Sequence, residues 1–178
     1  MTTVNSVDYV KSKVRDIIDF PVKGIVFKDI TTVLRDKEGF KLIIDYLTEK
    51  FADKNIDYIA GIESRGFIFG AALAYRLGAG FVPMRKPGKL PAETLSQDYA
   101  LEYGTDTLQI HKDAIEAGKR VVIVDDLLAT GGTAGAACNL VKQTGAKVVA
   151  AAFVIELQDL NGRNKIPEDV ETVSMIVY

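Results

Sequence analysis

An α/β fold, a mostly parallel central sheet flanked by helices with a small N-terminal hood and a flexible loop, is what this sequence predicts. Three observations carry it. Short β-branched apolar runs alternate with amphipathic segments from Tyr58 onward. Two of those runs, Ile59-Ala-Gly-Ile62 and Val121-Val-Ile-Val124, open directly into loops of small or charged residues that lead a helix. The length of 178 residues fits a single domain, 1–178, able to bury around two-thirds of its unfolded surface.

Taken in order, Val7, Val10, Val14 and Ile17 recur at helical spacing, with Asn5 or Ser6 available as N-cap, predicting a first helix that ends near Asp19. Pro21 and Gly24 force a non-helical connector. From Asp36, the stripe Phe40, Ile43, Ile44, Leu47 and Phe51 marks a second helix. Alternation then predicts strands at Tyr58–Ile62, Gly80–Met84, Arg120–Val124 and Val148–Ile155, with helices at Phe67–Leu77 and Ala134–Thr144. A last strand, Thr172–Val177, closes one edge. Between Pro87 and about Gly104 the pattern breaks, which predicts a mobile loop over the site.

Composition narrows the function. With 22 basic and 24 acidic residues the net charge is −2, which argues against a nucleic acid partner. No stretch reaches the ~18 apolar residues of a membrane span, and the N-terminus lacks a signal-type apolar region, so a cytoplasmic protein without membrane attachment is expected. The single cysteine, Cys138, suits a reducing compartment and is expected to be a buried structural residue. His111 lies in another segment, so a thiol–imidazole pair has no local support, and too few ligands exist for a zinc site.

The segment VVIVDDLLATGGTA holds the chemistry. Asp125 and Asp126 are expected at the carboxyl end of a buried strand, where open parallel sheets bind ligands. Ala129, Thr130, Gly131, Gly132 and Thr133 then form a loop without bulk ahead of a helix N-terminus, whose unpaired N–H groups favour an anion. The chain has no G-x-x-x-x-G-K-[ST], and Gly78-Ala-Gly80 continues as Phe-Val-Pro, so neither a triphosphate P-loop nor a dinucleotide fingerprint is supported. Two carboxylates before a phosphate cradle would repel bare phosphate but suit a sugar phosphate whose hydroxyls donate to them. The alternative is a turn with solvent-facing acids.

A second strand–loop–helix, Gly61-Ile-Glu63-Ser64-Arg65-Gly66, combines backbone N–H groups with a guanidinium and reads as a second anion site. Arg65 pairing with Glu63 on the surface is the alternative. Arg85, Lys86 and Lys89 place three positive charges within five residues, suited to a polyanionic leaving group, or equally a solvated basic run when taken alone.

The hydrophobic strand, acid pair and A-T-G-G-T loop resemble the phosphoribosyl pyrophosphate (PRPP) motif of the type I phosphoribosyltransferase family. F-P-V-K-G-I-V-F-K-D-I, G-I-E-S-R-G-F-I-F-G, R-K-P-G-K-L-P and L-E-Y-G extend the likeness, in order and over nearly the whole chain, to the family's adenine-specific branch. The resemblance implies that adenine and PRPP give AMP and pyrophosphate. Residues 1–35 would supply the base-binding hood and 85–104 the mobile loop. Asp125, Asp126 and Ala129 to Thr133 would hold the ribose phosphate, and Glu63, Ser64, Arg65, Arg85, Lys86 and Lys89 the pyrophosphate. Arg65 and Glu102 would be catalytic, Glu102 as general base, with an outward-facing strand residue as the alternative for Glu102. The backbone of Val26 and Lys28 would read adenine, with Phe27, Leu127 and Tyr103 about it. Lys28 and Glu63 stand where the family usually has Arg and often has Asp. Mg²⁺ bound mainly through substrate oxygens, and a homodimer, are further implications. Rival readings are a phosphoribosyltransferase for xanthine or hypoxanthine, and a PRPP-sensing regulator, which would need a basic face.

Overall fold

The computed structural model describes residues 5–100 and 104–178. Its chain forms two compact units, Met1–Tyr46 and Leu47–Tyr178.

In the first unit, helix α1 (Ser6–Lys13) is capped by Asn5, whose side-chain oxygen accepts from the Val7 N–H at 3.2 Å. The expected continuation to Asp19 does not occur. The chain turns extended at Val14, and Arg15–Ile18 forms strand β1, antiparallel to β2 (Val26–Asp29), with Ile17 opposite Phe27. β-Branched Val14, Ile17 and Ile18 fit a strand as readily as a helix, and pairing with β2 overrides the local periodicity. The connector carries positive φ at Asp19 (58°) and Gly24 (92°), and the Gly24 N–H donates to the Asp19 carboxylate at 2.7 Å. A single helical turn α2 (Thr31–Leu34), which the sequence pattern does not announce, precedes α3 (Lys37–Phe51). Asp36 caps α3 by accepting from the Gly39 N–H at 2.9 Å.

The second unit contains β3 (Tyr58–Ile62), α4 (Arg65–Leu77), β4 (Gly80–Met84), β5 (Thr94–Ala100), β6 (Thr105–His111), β7 (Arg120–Leu128), α5 (Gly132–Gln143), β8 (Lys147–Glu156) and β9 (Glu171–Val177). Five strands form a parallel sheet in the order β4-β3-β7-β8-β9, with β9 at the edge as expected. Val121 to Val124 on β7 and Ala150 to Ile155 on β8 are essentially inaccessible, which explains their unbroken apolar runs. Each large side chain in this layer, such as Ile123 or Phe153, contributes roughly 1.5–3 kcal/mol by leaving water.

The connection from β3 through α4 leads to β4 on one side, and that from β7 through α5 leads to β8 on the other. The topology therefore switches between β3 and β7, where open α/β sheets carry a ligand crevice beyond their carboxyl ends.

The stretch from Pro87 to Gly104 is not patternless throughout. Thr94–Ala100 is strand β5, paired antiparallel with β6 in full register from Thr94↔His111 to Ala100↔Thr105. The alternation of Leu108 and Ile110, both fully buried, with polar residues is the strand signal that the prolines and charges of the preceding segment obscured. An antiparallel bridge, Arg85↔Gln109, ties this hairpin to the end of β4.

Candidate active site

Strand β7 runs four residues beyond Val124, so Asp125 and Asp126 lie within it rather than at its end. Pairing explains the extension, because Asp125, Leu127 and Leu128 keep register with Phe153, Ile155 and Glu156 on β8. Successive side chains of a strand point to opposite faces, but the two carboxyls stay close enough to interact. Asp125, half-buried, lines a cavity of about 70 Å³ with Leu127, Leu128, Phe153 and the loop Ala129 to Ala134. That is space for a group of several heavy atoms, against roughly 30 Å³ for one liquid water.

Gly131 sits in the left-handed region (φ 80°) as the N-cap of α5 and has no side chain to cap the first turn, so the amides of Gly132, Thr133 and Ala134 meet the cavity unscreened. A Cβ on Gly131 would lie 2.1 Å from the Gly162 carbonyl oxygen, and one on Gly132 would lie 2.9 Å from that of Ala100. These glycines therefore serve close backbone packing as well as ligand access. Thr130 is exposed at the rim.

Asp126 is buried and accepts from the Arg65 guanidinium. Gly66 makes this possible: a Cβ there would stand 2.6 Å from the Val124 carbonyl oxygen, so only glycine lets α4 come so close to β7. Arg65 thus pairs with Asp126. Packing around the Asp125 carboxyl, followed by the charge of Asp126, holds its pKa well above the ordinary carboxylate value, although the Asp126 N–H donates to it at 2.8 Å.

Glu63, in a cis peptide with the exposed Ser64, accepts from the Arg85 guanidinium at 3.1 Å and from the Lys86 N–H at 3.0 Å. Burial opposes its charge, but the Lys86 and Arg85 hydrogen bonds outweigh that and leave its pKa below the usual value. The Lys86 ammonium bonds the Asp106 carboxylate and, at 2.6 Å, the Tyr99 hydroxyl. Those two bonds outweigh its desolvation and raise its pKa. Lys89 is exposed, and its N–H donates to the Lys86 carbonyl at 3.3 Å.

The structure thus brings Asp125, Asp126, Ala129 to Thr133, Arg65, Glu63, Arg85 and Lys86 to the carboxyl ends of β3, β4 and β7. Val26, Phe27 and Lys28 belong to β2 in the first unit, where Val26 is exposed, Phe27 meets Phe20 edge to face at 5.3 Å, and Lys28 bonds Asp16 at 2.8 Å. Glu102 and Tyr103 lie outside the described residues. Asp106, Tyr99 and the packing role of Gly66 escaped sequence reasoning. The Gly66 position was visible as a glycine opening a helix, but the Lys86–Asp106 pairing has no local signal.

A model of the phosphoribosyl transferase domain matches residues 29–176. The chain belongs to the phosphoribosyl transferase domain family. Within that family it is 62% identical, over 94% of its length and 98% of the relative's, to the adenine phosphoribosyltransferase of Cyanothece sp.. The crystal structure of the adenine phosphoribosyltransferase from Thermoanaerobacter pseudethanolicus superposes with a TM-score of 0.93 at 55% identity, covering 97% of this chain and 99% of that one. That of the Saccharomyces cerevisiae enzyme, complexed with an imino-altritol bisphosphate and adenine, gives 0.90 at 44% identity, covering 96% and 98%. Phosphoribosyl transferase membership accounts for the five-stranded parallel sheet flanked by helices.

Cys138 is fully buried in α5, and burial pushes its thiol up to about 11, which makes it inert packing. His111 ends β6, partly exposed, and its ring nitrogen accepts from the Ala92 N–H at 3.4 Å.

Proposed function

We propose that this chain is a purine salvage enzyme that transfers the 5-phosphoribosyl group of PRPP to N9 of adenine, releasing AMP and pyrophosphate. The observation that carries this reading is the junction of two anion-suited loops at the acid strand. A glycine-lined cavity is bordered by Asp125, and beside it Arg65 pairs with Asp126. A donor with a phosphate at one end and a diphosphate at the other needs both loops, with hydroxyl acceptors between them. The relatives named as adenine phosphoribosyltransferases support the same assignment.

The 5-phosphate is received by the amides of Gly132, Thr133 and Ala134, with hydroxyls of Thr130 and Thr133 as further donors. Asp125 and Asp126 accept from the ribose 2- and 3-hydroxyls, and their negative charge favours the cationic sugar that forms as N9 attacks C1 and the C1–oxygen bond breaks. Arg65, Arg85, Lys86 and Lys89, with the loop amides of Glu63 and Ser64, receive the charge of the departing pyrophosphate. Glu102 takes the imidazole proton of adenine.

Mg²⁺ suits this site through the donor's own oxygens, since the carboxylates of Glu63 and Asp126 are already engaged by cations, and it would neutralise diphosphate charge. For the base, the family resemblance supports recognition through the backbone of Val26 and Lys28. Backbone groups of Val26 and Lys28 facing a 6-oxopurine would meet mismatched partners at about 1–3 kcal/mol each. The Lys28 ammonium is taken up by Asp16, consistent with a contribution through backbone alone. A cytoplasmic homodimer completes the proposal, on family resemblance and on the fit of a lone reduced cysteine to that compartment.

The test follows pyrophosphate release from PRPP and Mg²⁺ with adenine or hypoxanthine. Adenine is expected to be preferred by at least roughly tenfold, the equivalent of one mismatched group. Equal turnover would sink the base assignment, and no release with either base would sink the reaction. Glu102→Gln should slow the chemical step in single-turnover assays; unchanged rates would remove Glu102 from the mechanism.

A further inference from the structure

Arg65 pairs with Asp126, Arg85 with Glu63 and Lys86 with Asp106, whereas Lys89 makes no ion pair among the described residues. Glu63 belongs to the loop after β3 and Asp126 to the acid strand, but Asp106 lies on the hairpin, with no part in the reaction described above. It is the direct cross-strand partner of Tyr99. Its carboxylate is anchored on its own strand by the Thr107 N–H at 2.7 Å, and the Tyr99 hydroxyl donates to it at 3.3 Å.

This small network stands between the two loops. On one side the Lys86 N–H shares the Glu63 carboxylate with Arg85. On the other the Tyr99 ring lies 3.3 Å from where a Cβ of Gly132 would be, so it abuts the phosphate loop. The Lys86 and Asp106 side chains are about one-third exposed, 35% and 32%, so a dissolved polyanion can reach the ammonium.

We propose that Asp106 is a positioning residue that holds the Lys86 ammonium in competition with the diphosphate. The donor's greater negative charge draws Lys86 away from the hairpin, and the carboxylate takes it back as pyrophosphate leaves. The bond to Asp106 thereby weakens pyrophosphate binding and favours its release. This inference rests on the assignment of Lys86 to the pyrophosphate site.

The experiment measures the Kd of pyrophosphate, with Mg²⁺ present, by calorimetry on the wild type, Asp106→Asn, Lys86→Ala and the double variant. Asparagine keeps an oxygen for the Thr107 N–H while removing the competing charge. Asp106→Asn should bind pyrophosphate about threefold more tightly, the order expected for a partly exposed ion pair, and should lower the KM for PRPP. That gain should vanish in the Lys86→Ala background. An unchanged or weaker affinity in Asp106→Asn overturns the proposal, as does an equal gain with Lys86 absent, which would reduce Asp106 to a general field effect. Should Asp106→Asn fail to fold, Tyr99→Phe decides: removal of the other Lys86 partner should also tighten binding, to a smaller degree, and no tightening overturns the proposal. Failure of the wild type itself to bind pyrophosphate would instead defeat the site assignment.

Discussion

The two strand-to-helix loops of the second unit differ in what holds them. The loop after β7 is fixed by backbone: Gly131 meets Gly162 so closely that no side chain fits, and Gly132 meets Ala100. The loop after β3 is fixed by charge, through Glu63 with Arg85 and Arg65 with Asp126. A phosphate cradle of amides must be geometrically rigid, because each donor is short and immobile. The proposed diphosphate site would gain and lose several charges, and the carboxylates paired to Arg65, Arg85 and Lys86 would keep its cations neutralised between turnovers.

The contrast is broken most severely at Gly131. Gly131→Ala puts a Cβ against a carbonyl oxygen at a positive φ, and a loss on the order of 3 kcal/mol or more is expected, read as a fall in Tm together with lost AMP binding. A variant of wild-type stability would show that the cradle is not held by backbone packing.

Arg65→Ala should lower Tm, because the buried Asp126 carboxylate loses its cation, and should also cut turnover roughly 100-fold, as for loss of one preorganised charge at a leaving group. Here the loss should appear in kcat; a change confined to Tm would assign Arg65 to structure.

Asp125→Asn separates stability from binding. Because the folded pKa of Asp125 is raised, its ionisation opposes folding as pH climbs from the ordinary 3.8 through that higher value. The asparagine variant lacks this penalty, so it should be more stable than wild type at neutral pH while binding PRPP roughly tenfold more weakly. In the wild type, PRPP affinity should rise with pH through the same range, and a flat profile would contradict the role of the carboxylate.

Glu63→Gln is the mildest. Its pair with Arg85 is only partly buried, so about 1 kcal/mol is expected from urea unfolding at neutral pH. A lowered folded pKa means this contribution is present above 4.5 and is lost as pH falls through the lower folded value, so the two proteins should converge in acid. A gap that stays constant with pH would deny the ion pair any role.

Much of the fold was legible. Tyr58–Ile62 and Gly80–Met84 are strands with the expected bounds: β3 is buried from Ile59 to Ile62 and leaves an apolar run, whereas edge strand β4 is buried only at Val82 and Met84. The first helix was overextended because Val14 and Ile17 continue its helical spacing, and only the pairing of Ile17 with Phe27 on β2 shows a strand there. β5 was hidden because its burial is partial and its partner lies across Gly104.

For the site, sequence by itself determined the chemical inventory: the acid pair, the glycine cradle, the E-S-R-G loop and the basic run. These are local, since a loop's amides and its helix N-terminus come from consecutive residues. Tertiary structure alone decided the pairings. Arg65 reaches Asp126 only because Gly66 admits α4 to β7, and Lys86 meets Asp106 only because the hairpin returns to β4 through the Arg85↔Gln109 bridge. Charge partners are chosen by distance in space, and in a parallel sheet residues remote in sequence become neighbours through crossovers that no short window of residues records.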